Sequence, residues 1–388
     1  MKFFKWVVFL FLISCTAGKK EVKNEIAGPQ PLLIYDDLPN PINQIDDLFE
    51  FEDLIPLAVP DSIFLSTISK VKLVGDDYLV LDKKQSNVFL FDESGEFVRT
   101  IGSKGEGPGE FLDVSDFEVD NGKVYLMSRG SRAVFVYDVE SGNFVEKINT
   151  GLFGDKLVSA GNGELLIYVN HNSAKGSFNV HLIGSDGAIL DSYFIYDPEK
   201  EKSIITISGF LDRTGQNVSF SKPFHDTVYT YDPLGKDFKA RYYTDLLSPF
   251  MKENQRDFKA LASPETLVKS VRGGESMNGN FYLENDGFVV FNFLDYSTFK
   301  SGILDKQDSE FKVFAYSSEN PIFRLFDSPQ VLTEDNKLYF PIYGEKLGSD
   351  VFFDSNFNSE FQAKLQDQLA QKGSAFPYFI CISRIKKD

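Results

Sequence analysis

The chain has 388 residues but few of the kinds that most often carry chemistry: two cysteines, three histidines, four methionines and one tryptophan. Two cysteines make no disulfide framework. One of them, Cys381, lies in the apolar stretch YFICISRI, which marks it as a small buried hydrophobe rather than a nucleophile. No apolar run approaches 18 residues, so no segment reads as a bilayer-spanning helix. Basic charge is also scarce, with 40 Lys and Arg against 57 Asp and Glu and a formal net charge of −17. Such a chain lacks the basic stripe that nucleic acid demands. Charge would not hold it on anionic lipid either.

What is present begins at the N-terminus. In MKFFKWVVFLFLISC, Lys2 and Lys5 form a positive region, Trp6 to Ile13 an apolar core, and Cys15 closes a Leu-Ile-Ser-Cys box. This pattern is a secretory signal, too short and wrongly flanked to span a membrane. It resembles the lipobox of bacterial lipoproteins, in which the chain is cut before the cysteine and its sulfur carries a diacylglycerol. The expectation is therefore a signal peptide over 1–14, lipidation of Cys15, and a tether over 15–49 that starts with Thr16, Ala17 and Gly18. Two or three acyl chains, palmitate among them, would anchor firmly where one gives only marginal binding. Loss of Lys2 and Lys5 takes the net charge to −19, so the membrane would be reached through the lipid alone.

The rest leans toward strands. There are 39 Phe and 17 Tyr, and short apolar runs alternate with Gly, Asn and Asp turns. Asn121-Gly122, Asn162-Gly163, Asn278-Gly279 and Asp286-Gly287 are hairpin signals, because these pairs tolerate the positive φ of two-residue turns. A repeat is also present. FLFDESGEFVRTI (89–101) aligns with FVYDVESGNFVEKI (135–148), and weaker copies start near 181, 229 and 301. Phe91, Tyr137, Ile183 and Tyr231 fall 46, 46 and 48 residues apart. A second strand pair precedes each copy, as in VKLVGDDYLVLD. Four strands every 46 residues or so define the blade of a β-propeller, whose blades must stack because none buries both faces alone.

The predicted fold is all-β, a six-bladed β-propeller of four-stranded antiparallel blades over residues 50–388. The blades are expected at 66–101, 112–148, 156–195, 203–243, 276–316 and 329–386. Two short helical insertions interrupt it. One follows Ser248-Pro249, with Phe250, Phe258 and Leu261 on a stripe; the other carries Phe357, Phe361, Leu365 and Leu369 four apart. Each would cap an exposed edge or, alternatively, form a lid over the axis.

The stretch TIGSKGEGPGEFLDV (100–114) holds Gly102, Gly105, Gly107 and Gly109. A P-loop would end in Gly-Lys-Ser/Thr and open a helix. Here Glu110 and Phe111 follow, then strand-like FEVD, so the glycines are expected to turn the chain between blades. His171, His181 and His225, expected in different blades, show no HxxxH or HExxH spacing and predict no metal site. Ser-x-x-Lys at 219–222 and 383–386 lies in strand-like sequence, where residues three apart face opposite sides. Asp92 and Asp138 begin polar turns. Asp116 and Asp120 share a strand face and could contribute to an axial calcium site. No catalytic residue and no cofactor is expected, and the aromatics are assigned to blade packing.

IGSKGEGPGEFLDVSDFEVDNGKVYLMSRGSRAVFVYDVESGNFV resembles the NHL-type repeat. With its lipobox start, GEGPGEF turn and the stretch FSKPFHDTVYTYDPLGKDFKARYY (220–243), the chain from about 50 to 388 is similar to the six-bladed propeller lipoproteins of Bacteroidota. That resemblance implies fold and a place in the cell envelope. Residues 16–20 (TAGKK) lack an acidic run, which favours the periplasmic side and leaves the cell surface as the alternative. The function expected is a scaffold for a protein, small-molecule or glycan ligand. The alternative is a calcium-dependent lactonase- or lyase-type enzyme with an axial metal.

Overall fold

A computed structural model of the chain describes residues 30–31, 38–172, 175–198, 209–215, 217–222, 225–244, 277–295, 298–315, 321–324, 328–347, 359–373 and 376–387. The signal stretch, Cys15, the helix expected after Ser248-Pro249 and Phe357 lie outside them.

Six antiparallel sheets form the six blades of a β-propeller. The first four are consecutive hairpin ladders, each running from an inner strand at the axis to an outer one. Blade 1 comprises Lys70–Val74, Asp77–Asp82, Asn87–Phe91 and Phe97–Thr100; blade 2 comprises Asp116–Asp120, Lys123–Ser128, Ala133–Asp138 and Phe144–Asn149. Blade 3 has Lys156–Gly161, Glu164–Tyr168, Phe178–Ile183 and Ile189–Ile195. Blade 4 has Phe210–Thr214, Asn217–Ser221, Thr227–Asp232 and Asp237–Tyr243. Blade 5 follows with Met277–Glu284, Phe288–Asp295, Thr298–Asp305 and Phe311–Ala315.

The sixth blade departs from the simple repeat. Its three inner strands, Val331–Leu332, Lys337–Tyr343 and Tyr378–Ile385, come from the C-terminus, but its outer strand is Phe49–Pro56. The ladder from Phe49↔Ile385 to Pro56↔Phe379 thus ties the two ends of the fold together. Blade 6 was expected wholly within 329–386. Periodicity could not reveal the exchange, because the strand that completes the blade is some 280 residues away from the repeat it joins.

The chain before that strand also belongs to the body, against the expectation of a tether up to 49. Gln30–Pro31 pairs in parallel with the outer strand of blade 4. Leu38 packs into the core between blades 4 and 5. The Ile42 N–H donates to the Val313 carbonyl at 2.7 Å, and Ile45 is fully buried in a 3-10 turn, Ile45–Asp47.

Among the described residues the apolar core is divided into six clusters, one between each pair of neighbouring blades. The middle strands are buried on both faces, as in VFLF of blade 1 and FVVFNFLD of blade 5. Aromatic pairs cross the seams: Tyr168 meets Phe220 edge-on at 5.3 Å, Phe210 stacks on Tyr282 at 5.4 Å, and Phe49 of blade 6 meets Phe314 of blade 5 at 5.7 Å. Such contacts add to the area they bury. The aligned residues Phe91, Tyr137, Ile183 and Tyr231 are all buried. In blades 1 to 3 a bulge falls just before that position, so the sequence repeat is also a repeat of backbone irregularity.

Three of the four expected hairpin turns form, two of them with the positive φ that the residue types predict. Asn121-Gly122 and Asn162-Gly163 have positive φ at both residues. Asp286-Gly287 does turn, but the Asn285 side chain shapes it by accepting from the N–H groups of Gly287 and Phe288. The fourth expectation fails. Asn278-Gly279 lies within a strand, at a register shift between Asn278 and Tyr282. A Cβ on Gly279 would collide with Asn292, whose side-chain oxygen accepts from the Phe281 N–H at 3.1 Å. The glycine gives room to that side chain instead of turning the chain.

Of the helical insertions, Glu360–Lys372 is a helix. Ser359 caps it by accepting from the Gln362 N–H, and the Asp46 carboxylate accepts from the N–H groups of Glu360 and Phe361. Phe361 and Leu365 are buried, with Phe361 edge-on to Phe51 at 5.4 Å. The helix covers the outer strand of blade 6, far from the inner strand, so it caps an edge and is no lid over the axis.

Phe49→Ala would open a cavity at the strand that closes the ring. The expected loss is about 3–5 kcal/mol, read from denaturant unfolding of the variant against the parent.

Candidate functional site

Alternation along the inner strands sends every second residue toward the axis. In blade 1 these are Lys70 and Lys72; in blade 2 they are Asp116, Glu118 and Asp120. Each lysine meets the carboxylate 46 residues later, one repeat on. Lys70 donates to Asp116 at 2.8 Å and to the Phe117 carbonyl at 2.9 Å. Lys72 donates to Glu118 at 3.0 Å. Blade 4 adds Asp212, whose Oδ1 lies 3.0 Å from Lys72 and 3.9 Å from Lys70. Next to it Arg213 lies 3.6 Å from Asp120.

This network is largely dry. Side-chain exposure is 9% for Lys70, 2% for Asp116 and 3% for Glu118, against 29% for Asp212. Burial opposes the charge on Lys72, yet the attraction of Asp212 and Glu118 and the hydrogen bonds to both outweigh it and raise the amine above its ordinary pKa. Burial likewise opposes ionisation of Asp212, but Lys72 and Lys70 overcome it and hold the carboxyl below the usual range.

A cavity opens at each end of the network. The larger, about 340 Å³, lies on the face of the inner hairpin turns, where Lys72, Glu118, Asp120, Asn121, Asp212, Arg213 and Thr214 line it. The smaller, about 180 Å³, lies on the face where the chain passes from blade to blade, with Lys70, Lys83, Asp116, Lys156 and Asp212 in its wall. Asp212, Leu283 and Gln330 border both.

Asp116 and Asp120 do share the axial face, as the strand pattern predicts. Neither is disposed for calcium. Asp116 is held by Lys70 and by the Leu157 N–H at 2.8 Å. Asp120 accepts from Ser159 at 2.8 Å and Asn121 at 3.1 Å and faces Arg213. Among the described residues no three His, Cys, Asp or Glu side chains come together as metal ligands. His171 and His181 both belong to blade 3, against the expectation of separate blades, and His225 belongs to blade 4. His181 is buried beside Ser192 at 2.9 Å, and burial lowers its pKa. Cys381 is fully buried and its thiol is pushed up to about 12 by burial. Both Ser-x-x-Lys serines lie in strands.

The glycine run connects blade 1 to blade 2, as its residue types predict. It folds around a carboxylate of its own: Glu110 accepts from the Gly107 N–H at 2.8 Å, and a Cβ on Gly105 would strike that carboxylate. Ser103–Lys104 pairs with Glu110–Phe111 across the loop, and the Tyr137 hydroxyl donates to the Gly109 carbonyl. An anion already occupies the place a phosphate would take.

Sequence reasoning missed Lys70, Lys72, Glu118, Asp212 and Arg213. The signal was available, since KVK at 70–72 and DFE at 116–118 are one repeat apart with opposite charge.

A propeller of this kind, with charged groups paired across its axis, matches a family model over residues 37–372, described as Domain of unknown function (DUF4934). The chain belongs to that family. Its fold is similar to that of a candidate exported protein of Bacteroides fragilis NCTC 9343, with a TM-score of 0.73, 18% identity, and 91% of this chain and 98% of the other covered. A member of the DUF4221 family from Bacteroides vulgatus ATCC 8482 shares the fold with a TM-score of 0.52, 10% identity, and 89% and 99% covered. No curated protein matches the sequence.

Lys72→Met strips Glu118 and Asp212 of a shared counter-ion and is expected to cost about 3–5 kcal/mol, read by urea unfolding. Asp212 carries a second prediction. Its folded pKa lies below its unfolded value, so the stabilisation it gives is complete above the ordinary carboxylate range and is lost as pH falls through the folded value. The melting temperature of the parent should drop more steeply in acid than that of Asp212→Asn.

Proposed function

We propose that the protein is an exported, lipid-anchored scaffold that binds a protein, small-molecule or glycan ligand at its axis and performs no chemistry on it. The observation that carries this reading is the larger axial cavity. At about 340 Å³ it falls in the range of ligand sites, and convergent polar side chains line it in a ring of rigid sheets. Strands place those side chains more precisely than loops would. The axial carboxylates that an enzyme of the calcium-dependent type would use are instead joined to Lys70, Lys72 and Arg213.

Export and anchoring rest on the sequence at 1–18, with its Leu-Ile-Ser-Cys box and small-residue tether. The likeness to a candidate exported protein of Bacteroides agrees with that reading. So does the resemblance to the NHL-like propeller lipoproteins. No helix among the described residues is long and apolar enough to cross a membrane, so an acyl chain on Cys15 is the attachment this reading requires.

Two measurements test the proposal. Cys15→Ser should move the protein from the membrane to the soluble fraction; a variant that stays as firmly bound as the parent removes the anchor. Elemental analysis and melting in chelator address the scaffold. Melting should be unchanged by chelator, whereas a stoichiometric divalent ion whose removal lowers the melting temperature would replace the scaffold by the calcium enzyme.

A further inference from the structure

The two ends of the axis differ in charge. Among the described residues lining the larger cavity, Glu118, Asp120 and Asp212 stand against Lys72 and Arg213, one carboxylate in excess. The smaller has Lys70, Lys83 and Lys156 against Asp116 and Asp212, one cation in excess. Asp212 borders both cavities; without it the hairpin face is balanced and the inter-blade face has two cations in excess, so the axis is polar, with the hairpin face its more negative end.

Within the negative end the internal cations are committed. Lys72 directs its N–H groups to Glu118 at 3.0 Å, Asp212 at 3.0 Å and the Arg213 carbonyl at 3.4 Å. Arg213 faces Asp120 and donates to the Gly215 carbonyl at 3.1 Å. Asp212 is the uneven member. Its Oδ1 accepts from the Arg213 N–H at 2.8 Å and lies 3.0 Å from the Lys72 amine and 3.9 Å from that of Lys70, while no donor among the described residues meets Oδ2. It is also the most exposed carboxylate of the core network.

From this geometry we infer that the hairpin-face cavity takes a primary ammonium group of its ligand, held at the second oxygen of Asp212. The inference rests on the scaffold reading and names the ligand chemistry. An anion would face three carboxylates. A quaternary ammonium needs aromatic faces, and among the described residues no aromatic side chain lines this cavity. A primary ammonium has three N–H groups to place, and Thr214 and Gln330 in the same wall supply further oxygens. The excess of acidic residues over the whole chain, net −17, draws cations toward it.

Ligand-observed NMR with the purified full-length chain tests this, using n-butylamine, butyrate and butyltrimethylammonium at neutral pH. Butylamine should bind best, and Asp212→Asn should weaken it by at least about tenfold, as loss of a charge-assisted hydrogen bond does. Thr214→Trp fills the cavity without touching the lysine–carboxylate pairs and should abolish binding. It also decides the matter if Asp212→Asn does not fold. Equal binding of butyrate or of the quaternary amine, or amine binding indifferent to Thr214→Trp, overturns the inference. A neutral glycan or peptide that binds in a Thr214→Trp-sensitive way while the amine does not would overturn it and leave the scaffold standing. Failure of all three butyl probes would overturn the inference and leave the scaffold reading, which also admits a protein or glycan ligand, standing.

Discussion

The constraint on which everything depends is that each blade is apolar on both faces. A four-stranded sheet such as blade 5, with FVVFNFLD buried along its whole length, cannot meet water on either side. Stacking blade on blade hides one face and exposes the next, and only a closed circle leaves none over. The six clusters between blades are the product of that closure. A ring assembled from one chain has a seam, and here the seam is the ladder between Phe49–Pro56 and Tyr378–Ile385. Backbone hydrogen bonds along that ladder and the buried ring of Phe49 hold the seam closed.

Closure also creates the site. Inner strands converge on the axis, where neighbouring blades present equivalent positions to one another. The repeat distance that keeps Phe91 and Tyr137 in equivalent core positions brings Lys70 against Asp116 and Lys72 against Glu118. Equivalent residues of like charge would repel there, so opposite sign in successive repeats is what lets charge persist in a nearly dry channel. Asp212, from a blade across the ring, supplies a third carboxylate to two lysines. That imbalance gives the axis its direction.

The legible parts of the sequence were those governed by local rules. Asn121-Gly122 and Asn162-Gly163 turn because their residue types accept positive φ. Asp92 and Asp138 shape polar turns by accepting from Ser94 and Ser141. Gly105 and Gly107 serve a turn between blades, although nothing in their spacing announced that Glu110 is the group they enclose. Where a local rule met a tertiary demand, the rule lost. Asn278-Gly279 has hairpin chemistry but sits in a strand, since the glycine is needed to admit Asn292.

By itself the sequence determined the all-β class, the repeat of about 46 residues, the number of blades and the helix stripe at Phe361 and Leu365. Each of these depends on periodicity or on the backbone preference of a residue and its near neighbours. Tertiary structure alone decided that the N-terminal strand completes the last blade, that residues before 49 bind blades 4 and 5, and that Asp212 joins Lys70 and Lys72. Those are contacts between segments far apart in the chain, and their partners are chosen by closing the ring. No spacing along the sequence encodes them.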